Sequence, residues 1–330
     1  MDTELRPLSL GEILDRTAQL YRTNFLLFAG IAAVYAGSLL LLGLVQVGLQ
    51  ELFRAWHMTG QVIWLNLSFI GVEWLVMFLL GGLAVAANNR AVAWVHLGEP
   101  ATIRGAYAGV WPRLGTYIWL MAIIAFVLWI PLAACYGGFA AVAFLKFGAV
   151  MHVKSGQAAD PQQTMLFGML ALMFFGLAFA AVVYAVLMGL RYALSVPACV
   201  VEKSKAREAL KRSIELSKGA RGQIFVLGLL CLVIQIGLTG ILQSPFIVMA
   251  VRMAGQLPAW ARILQLIAAF CTNTFLAPIY AIGLTLFYYD QRVRKEGYDI
   301  VRMMEAAGMT ALPAAENAAS ASNALEHTQE

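Results

Sequence analysis

"FYYDQRVRKEG" (Phe287–Gly297) closes the last apolar run of a 330-residue chain. Two tyrosines and an aspartate are followed at once by Arg292, Arg294 and Lys295. Apolar sequence that stops in a cluster of cations is how a membrane-spanning helix ends at the cytoplasmic face, because Lys and Arg next to a span set its orientation. The stretch therefore predicts Tyr288 and Tyr289 at headgroup level, with the three cations beyond them in the cytosol. A stop signal alone accounts for this pattern. Recruitment of anionic lipid by Arg292, Arg294 and Lys295 is its functional alternative.

Working outward, the composition demands the same solvent. The chain is 61% hydrophobic and 12% charged, with a mean hydropathy of +0.75. A soluble domain of this length needs far more charge to cover its surface. The net charge of +5 is read through membrane orientation first, and no nucleic-acid partner is expected. Crossing ~30 Å of hydrocarbon takes roughly 20 apolar residues in a helix. Six runs qualify, about 25–49, 62–88, 114–145, 163–190, 223–250 and 260–289. Unpaired backbone cannot face lipid, so these are helices. The third is too long for a simple crossing and holds Pro131 and Gly137-Gly138, which predicts a kink or a span followed by a short outer helix.

Six crossings sort the cations. Of the 23 Lys and Arg residues, 18 fall on the side that holds both termini. Only Arg54, Lys146, Lys154, Arg252 and Arg262 fall on the other. Both termini are thus expected in the cytoplasm. Residues 1–24 are charged and polar, unlike a cleavable signal peptide, so the first span is expected to direct its own insertion.

Each outward span is preceded by a short amphipathic segment. In "SLGEILDRTAQLYR", Ser9 and Glu12 form a capping box, and Leu10, Ile13, Leu14, Thr17 and Tyr21 share a face. "PATIRGAYAGVWPRL" places Ile103, Ala106, Tyr107, Val110 and Leu114 at similar spacing. "SKAREALKRSIELSKG" starts at a cap, Ser204, and stops at Gly219, with a stripe of Ala206, Leu210, Ser213, Ile214 and Ser217. The unit of amphipathic helix, span out and span back occurs three times. Its returning spans end at Arg90, Arg191 and Arg292. That order suggests a threefold parallel repeat, about 8–98, 99–202 and 203–300, within one membrane domain of residues 1–303. Residues 304–330, rich in Ala, Ser, Asn and Glu, are expected to be a disordered cytosolic tail.

Chemistry is hard to find. Cys135, Cys199, Cys231 and Cys271 lie in or beside apolar runs with no CxxC pair, which argues against disulfides and zinc. No phosphate loop, HExxH, GxSxG or dinucleotide fingerprint occurs, so no cofactor is expected. His96 and Glu99 have helical spacing but fall at the turn "HLGEP". Within the spans the polar residues are Asn66, Glu73, Gln235 and Asn273. Glu73, in "IGVEWLV", is the ionisable group near a span's middle, which makes it a functional candidate by default. It is expected to face the bundle interior, with Gln235 or Asn273 as a hydrogen-bond partner. The plain alternative is a polar lock between two helices. The basic helix around Lys211 and Arg212 suits anionic headgroups, so membrane lipids are the expected partners.

Three stretches together carry a resemblance: "LRPLSLGEILDRTAQLYRTNF" (Leu5–Phe25), "VEKSKAREALKRSIELSKG" (Val201–Gly219) and "YYDQRVRKEGYDI" (Tyr288–Ile300). They resemble a bacterial family of integral membrane proteins similar to the membrane domain of glycerophosphoryl diester phosphodiesterases. The resemblance implies an all-α polytopic protein of the bacterial inner membrane. In that family the hydrolytic chemistry lies in a separate soluble barrel, which is not expected within these 330 residues. The expectation is a non-enzymatic envelope scaffold or an accessory to lipid or envelope processes. The alternative is a transporter or lipid-handling protein with a polar site around Glu73. An intramembrane hydrolase is disfavoured by the missing catalytic sets. Several polar groups converging on one cavity would mark a transporter.

Overall fold

The computed structural model describes residues 8–151, 161–253 and 257–297. The protein is all-α, and every regular element among the described residues is helical. Among the described residues, six helical stretches are long and apolar enough to cross a membrane: Phe25–Ala55, Gly60–His96, Ile103–Ala141, Gly168–Val201, Arg221–Arg252 and Ala259–Glu296. Leu26, Trp64, Leu172 and Phe175 are each more than 70% exposed. Apolar exposure on this scale marks a surface made for hydrocarbon rather than water. The expected tail, 304–330, and Lys154 lie outside the described residues.

The chain divides into two units. Ser9–Tyr288 holds nearly all the helices; the described part of the smaller unit is Leu8 with Tyr289–Gly297. In chain order the helices are α1 (Leu10–Thr23), α2 (Phe25–Ala55), α3 (Thr59–Val76), a π-helical turn at Met77–Gly81, and α4 (Gly82–His96). Then come α5 (Ile103–Val110), a 3-10 turn at Trp111–Arg113, α6 (Leu114–Met151), α7 (Pro161–Tyr192) and α8 (Ser195–Val201). The series ends with α9 (Ala206–Ser217), α10 (Arg221–Arg252) and α11 (Ala259–Glu296). A short helix followed by two long arms therefore occurs three times in order.

Local sequence sets the ends of the short helices. Ser9 caps α1 in a full capping box: its N–H reaches Glu12 Oε2 at 2.7 Å, and the Glu12 N–H reaches Ser9 Oγ at 3.3 Å. Thr102 caps α5 through the Gly105 N–H at 3.1 Å. The cap of α9 is Lys205, one residue beyond the expected Ser204. A lysine side chain cannot accept a hydrogen bond, so only half a box forms there, with Glu208 Oε2 accepting the Lys205 N–H at 3.1 Å. Gly98 at φ +78° and Gly219 at φ +84° stop α4 and α9, in the left-handed region that glycine enters without steric cost.

The short helices are tethered to the long ones by hydroxyl groups. Tyr21 on α1 donates to the Phe275 carbonyl of α11 at 2.7 Å. Tyr107 on α5 donates to the Ile31 carbonyl of α2 at 2.8 Å. Ser213 on α9 donates to the Arg191 carbonyl of α7 at 2.9 Å and accepts the Leu194 N–H at 3.2 Å. The Phe275 tether falls in the turn before Pro278, which has no N–H to offer the Thr274 carbonyl.

Several expectations need correction. Tyr288 and Tyr289 are not an exposed headgroup belt; they are 0% and 2% exposed. The buried face of α9 is Ala206, Ala209, Ser213, Leu216 and Ser217, while Leu210 and Ile214 are only half-buried. Docking against α7 and α8 through the serines turns the helix from its most apolar face. The third long run does not split: α6 continues through Pro131. The second contains the π turn, and a short helix, α8, carries fully buried Ser195, Ala198 and Cys199. Neither feature was expected.

Candidate intramembrane site

Glu73 stands on α3 one turn before the π turn. A π insertion shifts the facing of the helix that follows it, and such turns recur at functional sites. Beside it lies a cavity of about 330 Å³ between α2, α3 and α11. Leu39 and Leu40 come from α2, Glu73 and Trp74 from α3, and Phe270 and Asn273 from α11. Glu73 and Asn273 are both half-buried. Among the described residues neither side chain makes a hydrogen bond, so both keep their polar capacity for whatever enters. Trp74 and Met77, also in the wall, are 54% and 43% exposed on the protein surface.

Next to the cavity, α11 packs a leucine side chain against α2 at Gly43. A Cβ placed on Gly43 would lie 2.5 Å from Leu266 Cδ2. Leu266 is itself a wall residue, so glycine at 43 lets this side chain settle between the helices.

Polar groups continue along the same helices in both directions. Two turns before Glu73, the Asn66 side-chain Oδ1 accepts from Gln46 Nε2 at 3.3 Å and from Gln50 Nε2. Arg262 on α11 donates to Gln50 and Glu51, and Glu51 also pairs with Arg54 at 3.0 Å. Toward the other end, Thr285 donates to Asn89 at 2.9 Å, both buried. Gln46, Gln50, Asn89 and Thr285 escaped the sequence reading. Asn88-Asn89 inside an apolar stretch was the available signal.

The other sequence-derived candidates lie apart. Gln235 on α10 lines a different cavity, of about 400 Å³, with Cys231, Ala277 and Tyr280. Arg212 is drawn into the protein: its Nε donates to Glu202 Oε1 at 2.9 Å, and the same oxygen accepts the Tyr288 hydroxyl at 2.8 Å. Lys211 stays exposed, as do Lys205 and Arg207 beside it. In the smaller unit, Arg294 Nε pairs with the buried Asp290 at 2.8 Å, and its Nη2 donates to the Leu8 carbonyl. Asp290 also accepts the Leu8 N–H at 2.7 Å. Arg292 pairs with Glu296 at 3.2 Å, and Lys295 is exposed.

Comparison with family models, with curated proteins and with solved structures finds no match.

Proposed function

We propose that this multi-pass protein handles a lipid or another amphiphile in the cavity that bears Glu73 and Asn273. The cavity carries the proposal: two polar groups with unspent hydrogen-bonding capacity converge in an apolar chamber whose rim is exposed where acyl chains would lie. Such a chamber matches a molecule with one polar group and an apolar body, because burying the polar end needs a partner while the rest gains by apolar contact. An ionisable residue in a span is otherwise costly. The role requires binding and movement, not bond-breaking. The cation asymmetry and the family resemblance support a bacterial cytoplasmic membrane with both termini inside.

A scaffold role is the second reading, favoured by the exposed Lys205, Arg207 and Lys211 on a helix firmly docked to its neighbours. The test is Glu73→Gln together with Asn273→Leu, in complementation of a deletion strain and in native mass spectrometry of lipids retained by the purified protein. Lipid handling requires both variants to fold, to lose retained lipid and to fail to complement. Full complementation with unchanged lipid retention would leave the scaffold.

A further inference from the structure

Among the described residues, two arginines outside that cavity carry charge with no counter-ion. Arg90 lies in the middle of α4, and Arg113 ends the 3-10 turn that leads into α6. Arg90 Nε and Arg113 Nη1 are both sealed from solvent and meet no acceptor. Among the described residues no carboxylate pairs with either one. Glu99, beyond α4, is exposed. Glu202, beyond α8, is held by Arg212 and Tyr288.

The two groups share one neighbourhood. Arg90 lies over the Trp94 ring at 4.8 Å. A Cβ on Gly109 would come within 3.5 Å of Arg90 Nε, so α5 runs against this guanidinium just before Arg113. Both arginines act electrostatically on Tyr117, near the start of α6, and Arg113 acts on Cys199 of α8. Tyr117 is 4% exposed, and its hydroxyl makes no hydrogen bond among the described residues.

Both residues are only half-buried, but a guanidinium nitrogen shut off from water with no acceptor gives up its hydration at an uncompensated cost. A lysine could lose its proton to escape that cost; an arginine cannot. The remaining remedy is an anion. Guanidinium forks match phosphate oxygens and can bind them through two parallel hydrogen bonds. A tyrosine hydroxyl adds a third donor.

We propose that Arg90 and Arg113, with Tyr117, form a binding site for a phosphate group. Either a phospholipid headgroup or a free phosphate would supply that chemistry. The site is separate from the Glu73 cavity and does not depend on its role.

The experiment uses the full chain, delipidated in non-ionic detergent in chloride buffer of constant ionic strength. Melting temperature is followed against inorganic phosphate in one arm and phosphatidylglycerol in the other. Diacylglycerol serves as the phosphate-free control. Wild type should be stabilised in at least one phosphate arm and not by diacylglycerol. Stabilisation by phosphatidylglycerol alone assigns the site to a headgroup; stabilisation by inorganic phosphate assigns it to a free anion. Arg90→Gln and Arg113→Gln should each raise the half-saturating concentration at least tenfold. Without anion, each should melt no lower than wild type, since an uncompensated charge has gone. Arg113→Lys keeps the charge without the fork, and should bind more weakly than wild type. Absence of stabilisation in both arms, or wild-type affinity in both Gln variants, overturns the proposal. So does a Gln variant that melts lower without anion yet responds to it as wild type does, because that is a packing role.

Discussion

Glu73 and Asn273 line one cavity from helices at opposite ends of the sequence. Helices α2 and α11 enclose it with α3, and Gly43 permits their approach against Leu266. The chamber thus depends on a residue with no side chain as much as on the two polar groups.

Filling that approach should be costly. Gly43→Leu is expected to lower stability by about 1–3 kcal/mol, the usual range for overpacking. Leu266→Ala in the same chain should recover much of the loss, because it vacates the space the new side chain needs. Thermal denaturation of both variants in detergent checks this, and equal melting of the single and double variants would refute it.

Thr285 and Asn89 form a buried pair, so losing the donor strands the amide oxygen. Thr285→Val should destabilise by roughly 1–3 kcal/mol, while Thr285→Ser should be close to wild type. Combined with Asn89→Leu, the second change should cost less than it does alone. A double-mutant cycle of melting temperatures gives the coupling.

Tyr288→Phe removes a hydrogen bond to a carboxylate, worth about 1.5–3 kcal/mol. Glu202 retains Arg212, so α9 should loosen rather than detach. Faster amide exchange across 206–217 in Tyr288→Phe, with little change in α5, is the expected pattern.

Lys211 and Arg212 are adjacent but should behave differently. Lys211→Gln should weaken enrichment of anionic lipid around the protein by ~1 kcal/mol, with added salt erasing the difference. Arg212→Gln should chiefly lower stability, because its partner is Glu202 and not a headgroup. Lipid enrichment in nanodiscs of mixed charge, measured beside melting temperature, separates the two effects.

Reporter fusions after His57 and after Gly98 should give opposite sides, external for the first and cytoplasmic for the second. The two turns are separated by one helical crossing, α3 to α4, which the π turn does not interrupt. The same signal at both positions would remove a span from the topology.

The sequence by itself determined what is local. Long apolar runs must be helices in hydrocarbon, and side-chain caps and glycines mark where α1, α4, α5 and α9 begin or end. It also singled out Glu73 and Asn273, since a polar residue within a span is conspicuous on its own. Tertiary structure decided which way each one faces. A span apolar all round carries no stripe to indicate its buried side, so nothing local could tell that Asn273 shares a cavity with Glu73 while Gln235 lines another. The burial of Tyr288 depends on Glu202, the turning of α9 on the carbonyl of Arg191, and the room for Leu266 on Gly43. Each is a relation between groups distant in sequence, fixed by hydrogen-bond geometry and close packing that only the assembled helices provide.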